Sequence, residues 1–231
     1  MGGHAEHLQQ LRRRTLEWLV AQIKNGRLPP ALVWKSYRIH LWARLRYALG
    51  TLTNSLTDAE SILSNIDFQL LPLLNVNRHI RSGWRQLHQT FGGIGLLHLP
   101  TEQLICHFNI LQQHYGTQST VGQKLTCSLH WLQLQLGHND NPLLLDYSKW
   151  HHLTCRSWWV ELWQSLHNSP VQLRLSYGRQ LPPQRNDVTI MSFLMDCDLP
   201  MNILTVMNRC RNFLHALFLS DITTADGKFL N

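Results

Sequence analysis

Three cations and a tryptophan recur at three- and four-residue spacing between residues 30 and 49, and their chemistry suits contact with a polyanion. In a helix these four side chains fall within one arc of about 80°. Cations along one helix edge can neutralise backbone phosphates, and an indole ring can stack on a base or a sugar. The nearest acidic residues in the sequence are Glu17 and Asp58, so the segment holds no carboxylate of its own. We therefore predict a nucleic-acid-binding basic stripe composed of Lys35, Arg38, Trp42 and Arg46.

Further arginines would extend the basic stripe if the fold brings them together. Of the 21 Lys and Arg residues, 16 are Arg, whose guanidinium suits bidentate phosphate contact and stacking. Residues 1–100 hold 12 Lys and Arg against 5 Asp and Glu, whereas residues 101–231 hold 9 of each kind. A basic amino-terminal half is typical of a protein that binds a polyanion. The candidate additions to the stripe are Arg12, Arg13, Arg78, Arg81 and Arg85.

A Cys-x2-His pair followed by a His-x2-Cys pair has spacing that zinc ligands use. The chain has 14 His residues, so chance pairings arise easily. The first pair also falls in a predicted amphipathic helix, where a buried Cys is ordinary. We therefore predict no cofactor and no resident metal, with four residues kept as zinc-ligand candidates: Cys127, His130, His152 and Cys155.

The segment "TFGGIGLLHLPTEQ", Thr90–Gln103, has three glycines within four residues and raises the question of a phosphate-binding loop. A dinucleotide fingerprint requires G-x-G-x-x-G between a strand and a helix, and a Walker loop requires G-K-[ST]. Here the glycines read G-G-x-G, and the next helix is delayed until after Pro100. We therefore predict a tight apolar turn where two segments pack closely, because glycine tolerates such turns best.

The spacing of the apolar residues places these candidates on a mainly helical chain. An alternating pattern in "VQLRLSY" predicts a strand over residues 171–177, and Asp226-Gly227 predicts a hairpin turn. Thr57 and Glu60 have the spacing of a capping box, and Thr101 is the predicted N-cap of a later helix. Helices are predicted over residues 4–25, 30–49, 57–71, 101–114, 118–136, 155–168, 187–196 and 201–216.

Composition excludes several classes of protein. The sequence has no run of about 18 consecutive apolar residues, and its start lacks the apolar centre of a signal peptide. Five Cys without close pairing argue against a disulfide scaffold and for a reducing compartment. We therefore expect an intracellular protein, cytoplasmic or nuclear, without membrane contact.

Two parts of the sequence resemble the region downstream of the palm in reverse transcriptases of non-LTR (LINE-like) retrotransposons. The first is "RLPPALVWKSYRIHLWARLRYALGTL" followed by "FGGIGL" and "LPTEQ", and the second is "MNRCRNFLHALFLSDITTADGK". The resemblance covers the chain from about Leu11 to Lys228. It implies a helical, thumb-like bundle over residues 1–75 and a partner palm domain that precedes it. Residues 76–231 would form a helical carboxy-terminal extension with a small β element of short strands. The second arm of the predicted hairpin has only four residues after Gly227, so we expect a truncated extension.

The catalytic residues of that family have no counterpart in this chain. Its polymerases hold two metal ions with a Tyr/Phe-x-Asp-Asp motif and an earlier Asp. This sequence has no Asp-Asp pair, and Asp196 and Asp198 come nearest to one. We therefore expect a non-catalytic fragment of an RNA-directed DNA polymerase that binds the backbone of an RNA–DNA or RNA duplex without reading its sequence. The alternative is a helical protein–protein interaction module whose nine Trp residues line an interface.

Overall fold

The computed structural model describes residues 3–24, 28–50, 66–175 and 187–224, together with Asp226, Lys228 and Leu230. These described residues are mainly helical and contain no β-strand, which confirms the predicted mainly α class. The chain divides into two compact units, residues 1–110 and residues 111–231. The predicted division at residue 75 lies inside the first unit and stays a prediction.

The first unit is built from helices that the sequence predicted in part. The predicted helix over residues 30–49 is present but changes its winding, because a π-helical segment, Tyr37–Trp42, joins two α-helices without a break. Pro30 opens this helix at a position where a missing N–H costs nothing. The capping box predicted at Thr57 and Glu60 lies outside the described residues. The helices are α1 (Gly3–Lys24), α2 (Pro30–Ser36), α3 (Ala43–Leu49), α4 (66–73), α5 (Ser82–Gln86) and α6 (Leu99–His114).

Apolar side chains from all these segments except α5 meet in one core. The π-helical segment contributes Tyr37 and Leu41, which are 0% and 2% exposed. A row of leucines after the glycine turn closes the core, and Leu97 also ties that turn to the helix, since its backbone N–H donates to the Tyr37 hydroxyl at 2.9 Å. The other buried members of this core are Leu11, Trp18, Leu19, Val33, Leu45, Leu49, Ile66, Leu70, Leu71, Leu96, Leu99 and Cys106.

The second unit is also helical, and several of its helices have a capping side chain or a left-handed glycine at their ends. The Ser119 side chain accepts from the Gly122 N–H at the start of α7, and Gly137 ends that helix with a φ of +68°. Ser157 caps α9 in the same way as Ser119 caps α7. The helices are α7 (Thr120–Leu136), α8 (Tyr147–Trp150), α9 (Trp158–His167), α10 (Ile190–Asp196) and α11 (Met201–Phe213).

Two buried tryptophans of α9 hold the core of the second unit together. Trp159 and Trp163 are each 1% exposed. The indole N–H of Trp159 donates to the Leu125 carbonyl at 3.0 Å, and that of Trp163 donates to the Leu145 carbonyl, also at 3.0 Å. A buried indole that keeps its hydrogen bond stabilises the fold through its large apolar area without a desolvation penalty.

Two local predictions are not confirmed. The described residues 171–175 of the predicted strand have no regular structure, and no neighbouring strand offers them a ladder of hydrogen bonds within the described ranges. α6 begins at Leu99 rather than after Thr101, because Pro100 fits the first helical turn; Thr101 instead bonds the His98 ring nitrogen at 2.7 Å. Near the predicted hairpin an isolated antiparallel bridge joins Thr223 and Leu230.

None of the helices in the described ranges is both long enough and apolar enough to cross a membrane.

Candidate nucleic-acid interface

The segment from Pro30 to Leu49 buries every fourth residue. An α-helix advances about 100° per residue, so a strict four-residue repeat would drift by about 40° at each step. The π-helical segment contains more residues per turn, and it offsets that drift in the middle of the row. This buried row consists of Val33, Tyr37, Leu41, Leu45 and Leu49, each at most 2% exposed.

The four-residue repeat also sets where the basic stripe lies. Arg38, Trp42 and Arg46 follow the buried row one residue later and stay aligned beside it. Lys35 belongs to the next row outward, which we call the outer row and which consists of Lys35, Ile39, Ala43 and Tyr47, all exposed. The structure therefore keeps three members of the predicted stripe in line and displaces the fourth to the outer row.

Trp42 is positioned as a packing residue rather than as an open stacking platform. The Arg38 guanidinium carbon lies 5.3 Å from the centre of the Trp42 ring, so the cation covers one face. Trp42 is only partly exposed and packs against the core. Stacking of a base on Trp42 would therefore require Arg38 to move.

Arg46 has a carboxylate partner that sequence proximity did not indicate. Its Nε lies 3.9 Å from Oε2 of Glu102, which α6 brings to the end of the stripe. The segment holds no carboxylate of its own, as expected, but α6 supplies one at this position. The Arg46 side chain remains 52% exposed, and an ion pair of this length is weak, so the guanidinium keeps most of its capacity for phosphate.

Sequence reasoning missed Tyr47, the most exposed large side chain of the outer row. Tyr47 is 92% exposed, and its neighbours Arg44 and Arg46 are both exposed cations. Exposed aromatic rings combined with cationic side chains are used by proteins that bind nucleic-acid strands without reading sequence. The four-residue spacing of the buried row places Tyr47 on the exposed outer row. A projection of the sequence at 100° per residue, as in an ideal α-helix, does not single it out.

The amino-terminal arginines lie on a different helix of the same unit. Arg12 and Arg13 are exposed on α1, and the Arg13 Nε lies 3.4 Å from Oε1 of Glu17. Both partners of this pair are more than half exposed, so the interaction is screened by solvent. Both arginines are therefore exposed on α1, a different helix from the one that holds the basic stripe.

The later arginines divide into structural and exposed side chains. Arg85 is half-buried and donates from Nε to the Ile80 carbonyl at 2.8 Å and from Nη2 to the Arg78 carbonyl at 3.1 Å. The Arg78 guanidinium lies 5.1 Å from the centre of the Phe68 ring. Arg81 is exposed just before α5. We therefore assign Arg85 to holding the loop before α5, and only Arg78 and Arg81 stay candidates for phosphate contact.

The glycine turn has no spare donors for a phosphate. The backbone N–H of Gly92 donates to Gln89, that of Gly93 to His88, and that of Gly95 to Leu87. Gly92 and Gly95 have φ of +80° and +76°, and a Cβ on Gly93 would collide with the Leu87 carbonyl. Each glycine is therefore required by the turn itself. The intervening Ile94 and the following Leu96 also donate to carbonyls, those of Trp84 and Arg85.

The four zinc-ligand candidates do not form a metal site. Among the described residues no three His, Cys, Asp or Glu side chains are grouped so as to hold a metal ion. Cys127 and Cys155 are both exposed free thiols, and His152 is also exposed. His130 is partly buried on α7. The remaining cysteines, Cys106, Cys197 and Cys210, are free thiols as well.

Comparison with known proteins adds no relative: no family model, no curated protein and no solved structure matches this chain. The resemblance to the region downstream of the palm in reverse transcriptases therefore stays a prediction.

Proposed function

We propose that the first unit binds the sugar–phosphate backbone of nucleic acid, without reading sequence, through the outer surface of the helical segment from Pro30 to Leu49. The observation that carries the proposal is Tyr47, which is 92% exposed and follows the exposed Arg44 and Arg46 on a segment without Asp or Glu. Arg38 and Lys35 continue the same positive surface toward the start of the segment.

The affinity for a nucleic-acid duplex should depend steeply on the salt concentration of the buffer. Four cations that each neutralise one phosphate of a duplex predict a slope of about −3.6 for log affinity against log salt. Affinity should then fall about 150-fold between 50 and 200 mM salt. A surface that binds a protein partner by apolar contact would have a much weaker dependence on salt.

The experiment is titration of a labelled RNA–DNA duplex with the full chain across that salt range. Arg38→Glu/Arg46→Glu should reduce affinity at 50 mM salt by at least about 100-fold and lower the slope by about 1.8. The matched control is Lys124→Glu/Arg174→Glu, which makes the same change of charge at exposed positions of the second unit. Equal losses in both double variants, or none in the first, would reject the assignment of the surface.

Two additions to the titration test the finer parts of the proposal. Tyr47→Ala should weaken binding of a single strand by at least about fivefold, because stacking on an aromatic ring contributes about 1–3 kcal/mol per base. Two duplexes of unrelated sequence should bind within about threefold of each other, since phosphate contacts carry no sequence information.

The duplex is proposed as the ligand because of the resemblance to non-LTR retrotransposon reverse transcriptases. On this proposal residues 1–75 act as a thumb-like grip beside a palm domain, and residues 76–231 form the extension with its small β element. The chain itself supplies no catalytic carboxylate set to the polymerase. A preference of at least about tenfold for RNA–DNA duplex over single-stranded DNA would support this assignment, and equal binding would count against it.

A second candidate function, protein–protein interaction, is favoured by the apolar surface of α11 and the residues after it. Val206, Phe213 and Leu214 are 54%, 83% and 63% exposed. Exposed apolar groups in one region mark interaction sites. If this surface mediates association, light scattering at 1–100 μM should detect oligomers of the wild-type chain, and Val206→Glu/Phe213→Glu should restore a monomer.

A further inference from the structure

The second unit contains a cleft of about 650 Å³ whose charged and titratable lining is basic apart from one thiol. α7, α11 and the segments that follow α8 and α11 form its walls. None of its lining residues is Asp or Glu; the ionisable ones are Arg209, Arg211, His152, His215 and the thiol of Cys155. The volume is typical of sites for small molecules.

Arg211 is a buried cation in this cleft with no carboxylate beside it among the described residues. The side chain is 5% exposed, and burial lowers its pKa. Its Nη2 donates to the Leu134 carbonyl at 2.6 Å, at the carboxy-terminal end of α7. That helix end carries only about half a negative charge, so the guanidinium leaves net positive charge in the cleft. Its Nη1, which carries two hydrogens, donates to the Ala216 carbonyl at 3.2 Å and to no other described residue.

His215 holds a conformation that histidine rarely adopts. Its φ is +54°, and it occupies the position after α11 where glycine is usual. The turn is a Schellman motif, because the His215 N–H donates to Asn212 at 3.3 Å and the Ala216 N–H donates to Arg211 at 3.1 Å. The left-handed conformation belongs to the helix ending, and it leaves the exposed His215 side chain on the lining of the cleft together with Arg211.

An aromatic wall completes the cleft. Trp131 lines it and is 63% exposed, unlike the buried tryptophans of α9. A large indole left in contact with solvent beside cationic side chains suits a planar, electron-rich ring. Leu153 and Leu217 add apolar surface to the same walls.

We propose that this cleft is a binding site for a nucleoside phosphate, with the base against Trp131 and the phosphate among Arg209, Arg211 and His215. Guanidinium groups bind phosphate oxygens with charge-assisted hydrogen bonds, and histidine donates to them as well. This site is separate from the surface proposed for nucleic-acid backbones and lies wholly in the second unit.

Calorimetric titration of the full chain with adenosine 5′-monophosphate, adenosine and inorganic phosphate tests the proposal. We expect saturable binding of one equivalent of the monophosphate, with adenosine and phosphate each at least about tenfold weaker. Arg209→Ala should lower the affinity for the monophosphate by about tenfold or more, and Trp131→Ala should lower it by about fivefold or more. Lys124→Glu should bind the monophosphate as the wild type does, since this exposed side chain of α7 does not line the cleft.

The decisive variant is His215→Gly, because it should weaken binding without lowering the stability of the fold. Glycine adopts the left-handed turn without strain, so the thermal midpoint should stay unchanged or rise. Binding of the monophosphate should fall by at least about fivefold. Unchanged binding in His215→Gly, equal affinity for adenosine and its monophosphate, or the absence of saturable binding at 5 mM monophosphate would overturn the proposal.

Discussion

The hydroxyl oxygen of Tyr37 accepts a hydrogen bond of 2.9 Å from the backbone N–H of Leu97, 60 residues later in the chain. Tyr37 is fully buried, and burial raises its pKa above the ordinary range of tyrosine. The phenol is therefore neutral, and it holds the chain after the glycine turn against the π-helical segment.

Tyr37→Phe should lower the free energy of unfolding by about 1–3 kcal/mol, because the Leu97 N–H would be left buried without an acceptor. Urea denaturation followed by circular dichroism measures the change. Tyr47→Phe is the matched control: it removes the same hydroxyl from a side chain that is 92% exposed and should change stability by less than about 0.5 kcal/mol. Equal effects of the two substitutions would contradict the role given to Tyr37.

Gly93→Ala should destabilise the first unit by at least about 2 kcal/mol, since the added Cβ collides with the Leu87 carbonyl and the backbone must shift. Gly83 provides the comparison, because no atom lies within 4 Å of a Cβ built there and the residue is in α5. Gly83→Ala should be neutral or stabilise by up to about 1 kcal/mol. Thermal melts of both variants give the answer, and a tolerated Gly93→Ala would argue against the tight turn.

The buried carboxyl group of Asp67 should make the folded state less stable as the pH rises. Burial raises its pKa to about 6, although the charge of Arg85 opposes this, whereas the unfolded carboxyl titrates near 3.8. The folded state therefore binds the proton more tightly, and unfolding becomes easier as pH rises from about 4 to about 6.5, by up to about 3 kcal/mol. Asp67→Asn should remove this contribution. The difference in the free energy of unfolding between wild type and variant should therefore change over that pH interval and stay constant above it. A difference that is constant from pH 4 to pH 7 would refute the assignment.

Arg211→Met should destabilise the second unit by about 2–4 kcal/mol, because the Leu134 carbonyl and the Asn208 side chain lose a buried donor. Arg209→Met removes an exposed guanidinium from the same helix and should cost less than about 0.5 kcal/mol. Hydrogen exchange of amides in α7 and α11 would locate the effect. If Arg211→Met is as stable as wild type, Arg211 does not hold the end of α7.

The sequence predicted most helices because their capping residues and apolar spacing are local signals. Pro30 and Gly137 stand at boundaries of predicted helices, whereas the helix predicted over residues 155–168 begins only at Trp158, because Ser157 caps it. The glycine turn was also predicted, since the departure of G-G-x-G from nucleotide motifs can be read without tertiary structure. The strand predicted at 171–177 is not confirmed over the described residues 171–175, because alternation describes a half-buried surface and only a partner strand turns it into a sheet.

Two features of the candidate sites could not be predicted from the sequence, because they depend on contacts between residues far apart in the chain. Glu102 approaches Arg46 only because α6 packs beside the helical segment, 56 residues away in the chain. Arg211 reaches the end of α7 across a sequence separation of 77 residues. Local patterns identify the residue types of such contacts but not the partners.

The π-helical segment makes the helical segment from Pro30 to Leu49 equivalent to an ordinary α-helix that has gained one residue. Its buried row is spaced by four throughout; deletion of the exposed Ile39 would change the spacings to four, three, four and four, the stripe of a regular amphipathic helix. A single-residue deletion inside a helix is ordinarily disruptive, because it rotates everything beyond it by about 100°. Here the shortened helix would keep Leu45 and Leu49 against the core, so the chain should fold after losing Ile39. Nucleic-acid binding by the chain without Ile39 would show whether the widened turn serves binding or is only tolerated by the fold.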